Sequence, residues 1–288
     1  MRLPALTIAR LTILEAARRR LLLALLILTL VTIALTGWGF QRLTVVTDRA
    51  GQPLPDVQVR LIASQLLILV AFMFSGVLAL SSAVVAGPAI ANDVESGLVL
   101  ALLARPLRRS EVVLGKWFGL AFLVTGYAAA AGSLEMLIVY WTTGYAVPHP
   151  IETLALVAAE GITLLTLGLL FSTRFSGITG AVVAVMAFLM AWIGGIVGNI
   201  GSALQNQSIA QVGTISHLLL PTDGLWRGAV YYMEPAPVIT LARAAGPGFA
   251  ANPFVSAYPP ELVYLAWALA WIAGVLLLAV WSFRRREV

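Results

Sequence analysis

The chain has 288 residues, 60% of them hydrophobic and 11% charged, and a mean hydropathy of +0.94. Soluble domains carry about 45–50% apolar residues, so this composition excludes an ordinary soluble protein and defines an integral membrane protein. The net charge of +5 sits beside apolar runs, where it reads as a topology signal rather than a nucleic-acid surface, and the absence of cysteine excludes disulfides, thiolate metal sites and cysteine nucleophiles.

A helix rises about 1.5 Å per residue, so crossing about 30 Å of hydrocarbon takes about 20 apolar residues. Six segments qualify, at 21–40, 61–86, 113–141, 152–172, 177–199 and 261–282. Arg18, Arg19 and Arg20 precede the first, as in a secretory signal. No A-x-A site follows, and Gly37, Trp38 and Phe40 form an interfacial boundary, so the segment is expected to be a permanent anchor. Thirteen basic residues fall in the N-terminal stretch, between spans two and three, between spans four and five, and after span six; the opposite loops hold five. The positive-inside rule therefore places both termini in the cytoplasm. The outer segment 200–260 is broken by Pro221, Pro235, Pro237, Pro247, Pro253, Pro259 and Pro260 and is expected to hold short external helices. The architecture is thus a single all-α membrane domain over 1–288.

Residues 87–112 interrupt this pattern with Asp93, Glu95, Arg105, Arg108, Arg109 and Glu111. Each such charge at a bilayer centre costs about 2.5–3.5 kcal/mol, so the stretch must lie outside the core. Gly87-Pro88 is expected to break span two and start a new helix. Ile90, Val94, Leu98, Ala101 and Leu102 then recur at helical spacing, which reads as a lateral amphipathic helix over 89–104. Pro106 ends it, and Ser110 with Glu111 reads as the cap and first-turn acid of span three. Such a helix is a docking element or a membrane-surface anchor; its acidic start disfavours anionic lipid.

Glu95-Ser96-Gly97, Leu102-Leu103-Ala104-Arg105-Pro106, Arg109-Ser110-Glu111 and Leu114-Gly115-Lys116 together resemble the first cytoplasmic loop of ABC-2 type permeases, the membrane subunits of ATP-binding-cassette transporters. The start IARLTILEAARRRLLLALL is similar to that family's N-terminal elbow helix, and WSFRRREV to its basic C-terminus. Leu98 stands where the family commonly has Thr, and Leu107-Arg108 where a small polar residue is frequent. The outer segment matches nothing specific; its general character resembles the copper-processing, NosY-like branch.

The resemblance implies a permease of the prokaryotic inner membrane that works for export with a separate ATPase subunit and a second permease copy, surrounded by lipid and without nucleic acid. ATP and Mg would sit on the ATPase, with no cofactor or metal on this chain. Gly115-Lys116 is followed by Trp117 and preceded five residues upstream by Ser110, so the phosphate-loop pattern fails. The implied ATPase-docking and coupling residues are Asp93, Glu95, Gly97, Arg105, Pro106, Arg109, Gly115 and Lys116. Asp93 and Glu95 would face basic groups on the ATPase or pair with Arg105 or Arg109. Gly115/Gly119 and Gly194/Gly198 are G-x-x-x-G close-packing signals. Glu135, Glu160 and Asn199 are candidate pathway residues, because polar groups inside spans are costly and functional by default. His149, His217 and Asp223 are a remote metal set. The rival readings are an ion-coupled secondary transporter, whose paired halves are not seen, a non-transporting receptor or scaffold, and a hydrolase, for which neither H-E-x-x-H nor G-x-S-x-G occurs.

Overall fold

The computed structural model describes residues 4–17, 20–47, 51–96, 108–246 and 252–286. It is 84% helical. The described residues form ten helices: α1 Pro4–Ala17, α2 Arg20–Leu43, α3 Asp56–Glu95, α4 Arg109–Thr143, α5 Pro150–Ser172, α6 Gly177–Ala203, α7 Gln207–Leu219, α8 Thr222–Met233, α9 Ala236–Ala245 and α10 Leu262–Arg284. Six of these, α2 to α6 and α10, are long and apolar enough to cross a membrane. At one end, here the basic end, α3 and α10 finish and α4 and α6 begin; α7, α8 and α9 belong to the far end.

Helix α5 is the post around which the bundle is built. Some 67% of its most apolar window is buried, against 11% for α2 and 17% for α10. It touches α3, α4, α6, α8 and α10, which explains why it is apolar on every side. Lipid is as apolar as leucine, so such contacts depend on close fit. Glycine supplies it: a Cβ on Gly161 would lie 2.8 Å from Val124 of α4, and one on Gly168 would lie 3.0 Å from Ala86 of α3.

Two spans depart from their expected limits. Helix α3 has 40 residues and α4 has 35, about 60 Å and 52 Å, so both overrun the hydrocarbon. The break expected at Gly87-Pro88 does not occur, and α3 continues through Pro88 to Glu95. Proline removes one N–H at this point, and tertiary partners hold the helix across it. Ser172 Oγ accepts from Ile90 N at 2.9 Å and Ala91 N at 3.0 Å, while Gly87 and Gly177 bring α3 and α6 into backbone contact, a Cβ on Gly87 falling 2.6 Å from the Gly177 carbonyl. Residues 89–95 are therefore the end of span two rather than the start of a lateral helix. Ser110 is likewise not the cap of α4: Arg108 precedes the helix, and its N–H donates to Glu111 Oε2 at 2.8 Å.

The segment 200–260 holds the short helices expected of it, but they do not all stay outside the bundle. Helix α7 folds back along α6, with Ser216 Oγ donating to Ala191 O at 2.8 Å. Its tip, Leu220-Pro221, reaches the middle of the bundle, where Leu220 packs with Ala79, Ala83, Leu164 and Phe188. Helix α8 then climbs out on the face of Leu225, Trp226, Ala229, Val230 and Met233. Non-helical backbone at such depth is tolerated only when protein satisfies it. Trp271 Nε1 donates to Leu219 O and Tyr264 OH to Pro221 O, both at 2.9 Å.

Both G-x-x-x-G pairs serve contacts within the chain. Gly115 and Gly119 seat α1, where a Cβ on either would lie 2.7 Å from Ile8 or the Ala9 carbonyl. Gly194 and Gly198 seat α7, and a Cβ on Gly198 would collide with Gly213 Cα. Gly198→Ala should therefore cost about 1–3 kcal/mol, since backbone rather than a movable side chain blocks it, whereas Gly39→Ala, which meets open space, should not lower stability. Thermal unfolding of the two variants in detergent checks this.

Candidate functional site

The polar residues of the basic end tie its helices to one another. Lys116, the chain's single lysine, lies on α4 and is nearly buried. Its Nζ donates to the Ala89 carbonyl and pairs with Asp93 Oδ2 across to α3. The pair is compatible with burial because the two charges balance and the Ala89 carbonyl accepts a further hydrogen bond from the ammonium. Arg109 Nη1 donates to the carbonyls of Phe283, Arg284 and Arg286 at 3.3, 3.2 and 2.5 Å. The first two carbonyls end α10, at its negative dipole end, and the third lies just past it, so a guanidinium there completes both hydrogen bonding and charge. Arg286 in turn donates to Thr173 O, just past the end of α5, at 2.8 Å. Arg174 Nε and Thr173 Oγ1 meet Ser282 Oγ at 2.9 and 2.7 Å.

The end of α3, the start of α4, the turn between α5 and α6, and the end of α10 are thus one braced block, with α1 laid across Gly115 and Gly119. Of the residues expected to dock a partner, Asp93, Arg109, Gly115 and Lys116 are occupied inside this block. Glu95 is exposed at the tip of α3. Together with Pro88, Asn92, Ser176, Gly177 and Ile178 it borders an open groove between α3 and α6 of about 630 Å³. Gly97, Arg105, Pro106 and the rest of 97–107 lie outside the described residues.

The intramembrane acids occupy separate places. Glu135 of α4 accepts from Thr36 Oγ1 of α2 at 2.6 Å, and about two helical turns away Thr29 Oγ1 meets Tyr127 OH at 2.5 Å. These contacts pin α2 to α4. Glu160 of α5 accepts from Ser75 Oγ of α3 at 2.5 Å. Asn199 Nδ2 donates to Gly195 O of its own helix at 2.7 Å.

A further polar cluster forms at the tip of the re-entrant hairpin. Asp223 Oδ2 meets His217 Nε2 at 2.7 Å and Arg227 Nε at 3.1 Å. His149 lies elsewhere, 3.6 Å from Glu152 and against the Tyr232 ring, so the two histidines and Asp223 are not brought together. The i,i+4 spacing of Asp223 and Arg227 was a visible signal for their pairing. No local signal marks Ser172, Ser75 or Thr36, whose partners are 81 or more residues distant.

At the far end Glu234 is buried where α8 ends, its Oε2 accepting from Ser256 N at 3.3 Å and its Oε1 lacking a protein partner. Burial pushes its carboxyl up to about 7, with the Ser256 N–H opposing.

A bundle of six helices long and apolar enough to cross a membrane, braced at a basic end and holding a buried polar cluster, defines a polytopic all-α membrane protein. The model of the ABC-2 family transporter proteins matches residues 6–288. The chain belongs to that family, and is a transmembrane permease subunit of an ATP-binding-cassette transporter; such permeases normally work with an ABC ATPase subunit. The match assigns no branch within the family, the copper-processing one included. Comparison with curated proteins gives no match.

Two outcomes follow from these charges. Lys116→Met should destabilise the protein by about 1–3 kcal/mol, by leaving Asp93 without its cation. Lys116→Met with Asp93→Leu should lose less than the single change, as measured by thermal unfolding. Because the Glu234 value is raised in the folded state, its stabilising contribution is complete below the ordinary carboxylate range and is lost as pH rises through 7. The unfolding temperature should fall between pH 5 and 8, and Glu234→Gln should flatten that dependence and gain stability above pH 7.

Proposed function

We propose that this permease docks its ATPase at the basic end, that this end lies in the cytoplasm of a prokaryotic cell, and that the complex exports its substrate across the inner membrane. The observation that carries the reading is the braced block. A displacement applied to the tip of α3 passes through the Lys116–Asp93 pair to α4, through Ser172 to α5, through the Gly87–Gly177 contact to α6, and, by way of α4, through Arg109 to α10. Coupling requires contacts that differ between two states, and linked rigid helices can carry that difference from an ATPase to the membrane.

The positive-inside distribution of thirteen basic residues against five supports the orientation. Glu95 and the groove beside Ser176 and Ile178 are the docking surface on the described residues, continued by Gly97, Arg105 and Pro106 beyond them. A second permease copy completes the pathway, and ATP and Mg act on the ATPase. The rival readings, an ion-coupled transporter or a scaffold, would need no nucleotide-dependent partner at this end.

The test is co-purification with the candidate ATPase and measurement of ATP hydrolysis by the complex in lipid nanodiscs. Glu95→Arg should lower the permease-stimulated rate by about tenfold, the effect of one interfacial charge reversed, while leaving the unfolding temperature of the permease unchanged. Hydrolysis indifferent to Glu95→Arg, or transport that follows an ion gradient without ATP, would remove the docking assignment.

A further inference from the structure

A cavity of about 250 Å³ lies between α3, α5, α6 and α8, beside the tip of the re-entrant hairpin. Phe72, Phe188, Trp192 and Trp226 give it aromatic walls, and Phe72 is in ring contact with both tryptophans at 5.7 and 5.3 Å. Its polar lining is Ser75, Glu160, Thr222 and Asp223, with the unpartnered indole N–H of Trp192 beside them. Exposed Met73 and Leu189 flank it, so it opens sideways between α3 and α6.

The polar side of the cavity is acidic and incompletely bonded. Asp223 is 2% exposed; its Oδ2 holds His217 and Arg227, neither of which lines the cavity, and its Oδ1 has no protein partner. Thr222 is 1% exposed and its Oγ1 is also without one. Glu160 accepts from Ser75 Oγ, and among the described residues no basic side chain forms an ion pair with it. A buried acceptor left without a hydrogen bond is costly, and an ammonium N–H placed in the cavity would satisfy it. The space far exceeds a bare ion, and aromatic faces attract ammonium groups.

We propose that this cavity binds a lipophilic organic ammonium ion, its apolar body among Phe72, Phe188, Trp192 and Trp226 and its charged nitrogen on Asp223 Oδ1, Thr222 Oγ1 and Glu160. As a statement of the transported class this rests on the permease reading. As a statement of binding it needs no ATPase, so its failure and the failure of that reading are separable.

The probe is labelled 4-phenylbutylamine, with 4-phenylbutanol as its uncharged counterpart, measured by equilibrium dialysis against the full chain in detergent after subtraction of empty micelles. The amine should bind saturably and about tenfold or more tighter than the alcohol, the range set by one charge-assisted hydrogen bond. Asp223→Asn should erase that preference. Gly76→Leu tests the site without touching its polar groups: Gly76 lines the cavity and a Cβ there meets nothing within 4 Å, so the added side chain should fill the space and abolish binding in a protein that unfolds at the wild-type temperature. Glu160→Gln supplies a second reading of the charge, weakening the amine and leaving the alcohol unchanged. Equal binding of amine and alcohol, absence of saturable binding, or full amine binding by folded Gly76→Leu overturns the proposal.

Discussion

Hydrocarbon offers no hydrogen bonds, so backbone that leaves the helical state within this bundle must find its partners in the chain itself. The consequence is clearest at Leu219-Leu220-Pro221, where the backbone leaves the helical state at mid-depth. The tip persists because Trp271 and Tyr264 of α10 reach its carbonyls, and because glycines of α6 let α7 lie close enough for Ser216 to reach Ala191. Packing and polar satisfaction are here a single requirement: without the close approach the hydrogen bonds cannot form, and without them the tip could not remain in an apolar interior.

The same requirement organises the basic end differently. There the carbonyl ends of α5 and α10 and the stretch of α3 around Pro88 present polar groups, and Arg109, Arg286, Lys116 and Ser172 satisfy them from other parts of the chain. Long cationic side chains suit helix C-termini because they answer both the orphan carbonyls and the dipole. Asp93, Lys116, Arg109 and Arg286 are thereby engaged within the chain. Glu95, exposed at the tip of α3, is offered outward, whereas Asp93 two residues earlier turns inward to Lys116.

The bundle also divides into firmly and lightly held parts. Helix α5 is enclosed by its neighbours, while α2 leans on α4 through the Thr29–Tyr127 and Thr36–Glu135 contacts. Glu135 and Glu160 looked alike in the sequence as acids inside spans, yet the first is a fastener at the edge of the bundle and the second borders an interior cavity. Their difference depends on which helix lies opposite, and helical periodicity carries no information about that.

Hydropathy determined the membrane class and the six crossing helices, because burial in lipid demands about 20 apolar residues wherever it occurs, and the residue pattern from Glu95 to Lys116 pointed to the family. Local chemistry also marked the short helices between Asn206 and Gly246. The tertiary structure decided what distant partners control. Pro88 does not end α3, because Ser172 and Gly177 support it. The glycine pairs seat helices of the same chain, because α1 and α7 happen to cross them. The proline-rich segment returns into the bundle, because α10 supplies the donors its tip requires. Each of these outcomes rests on contacts between residues far apart in the chain, and only the folded arrangement brings them within bonding distance.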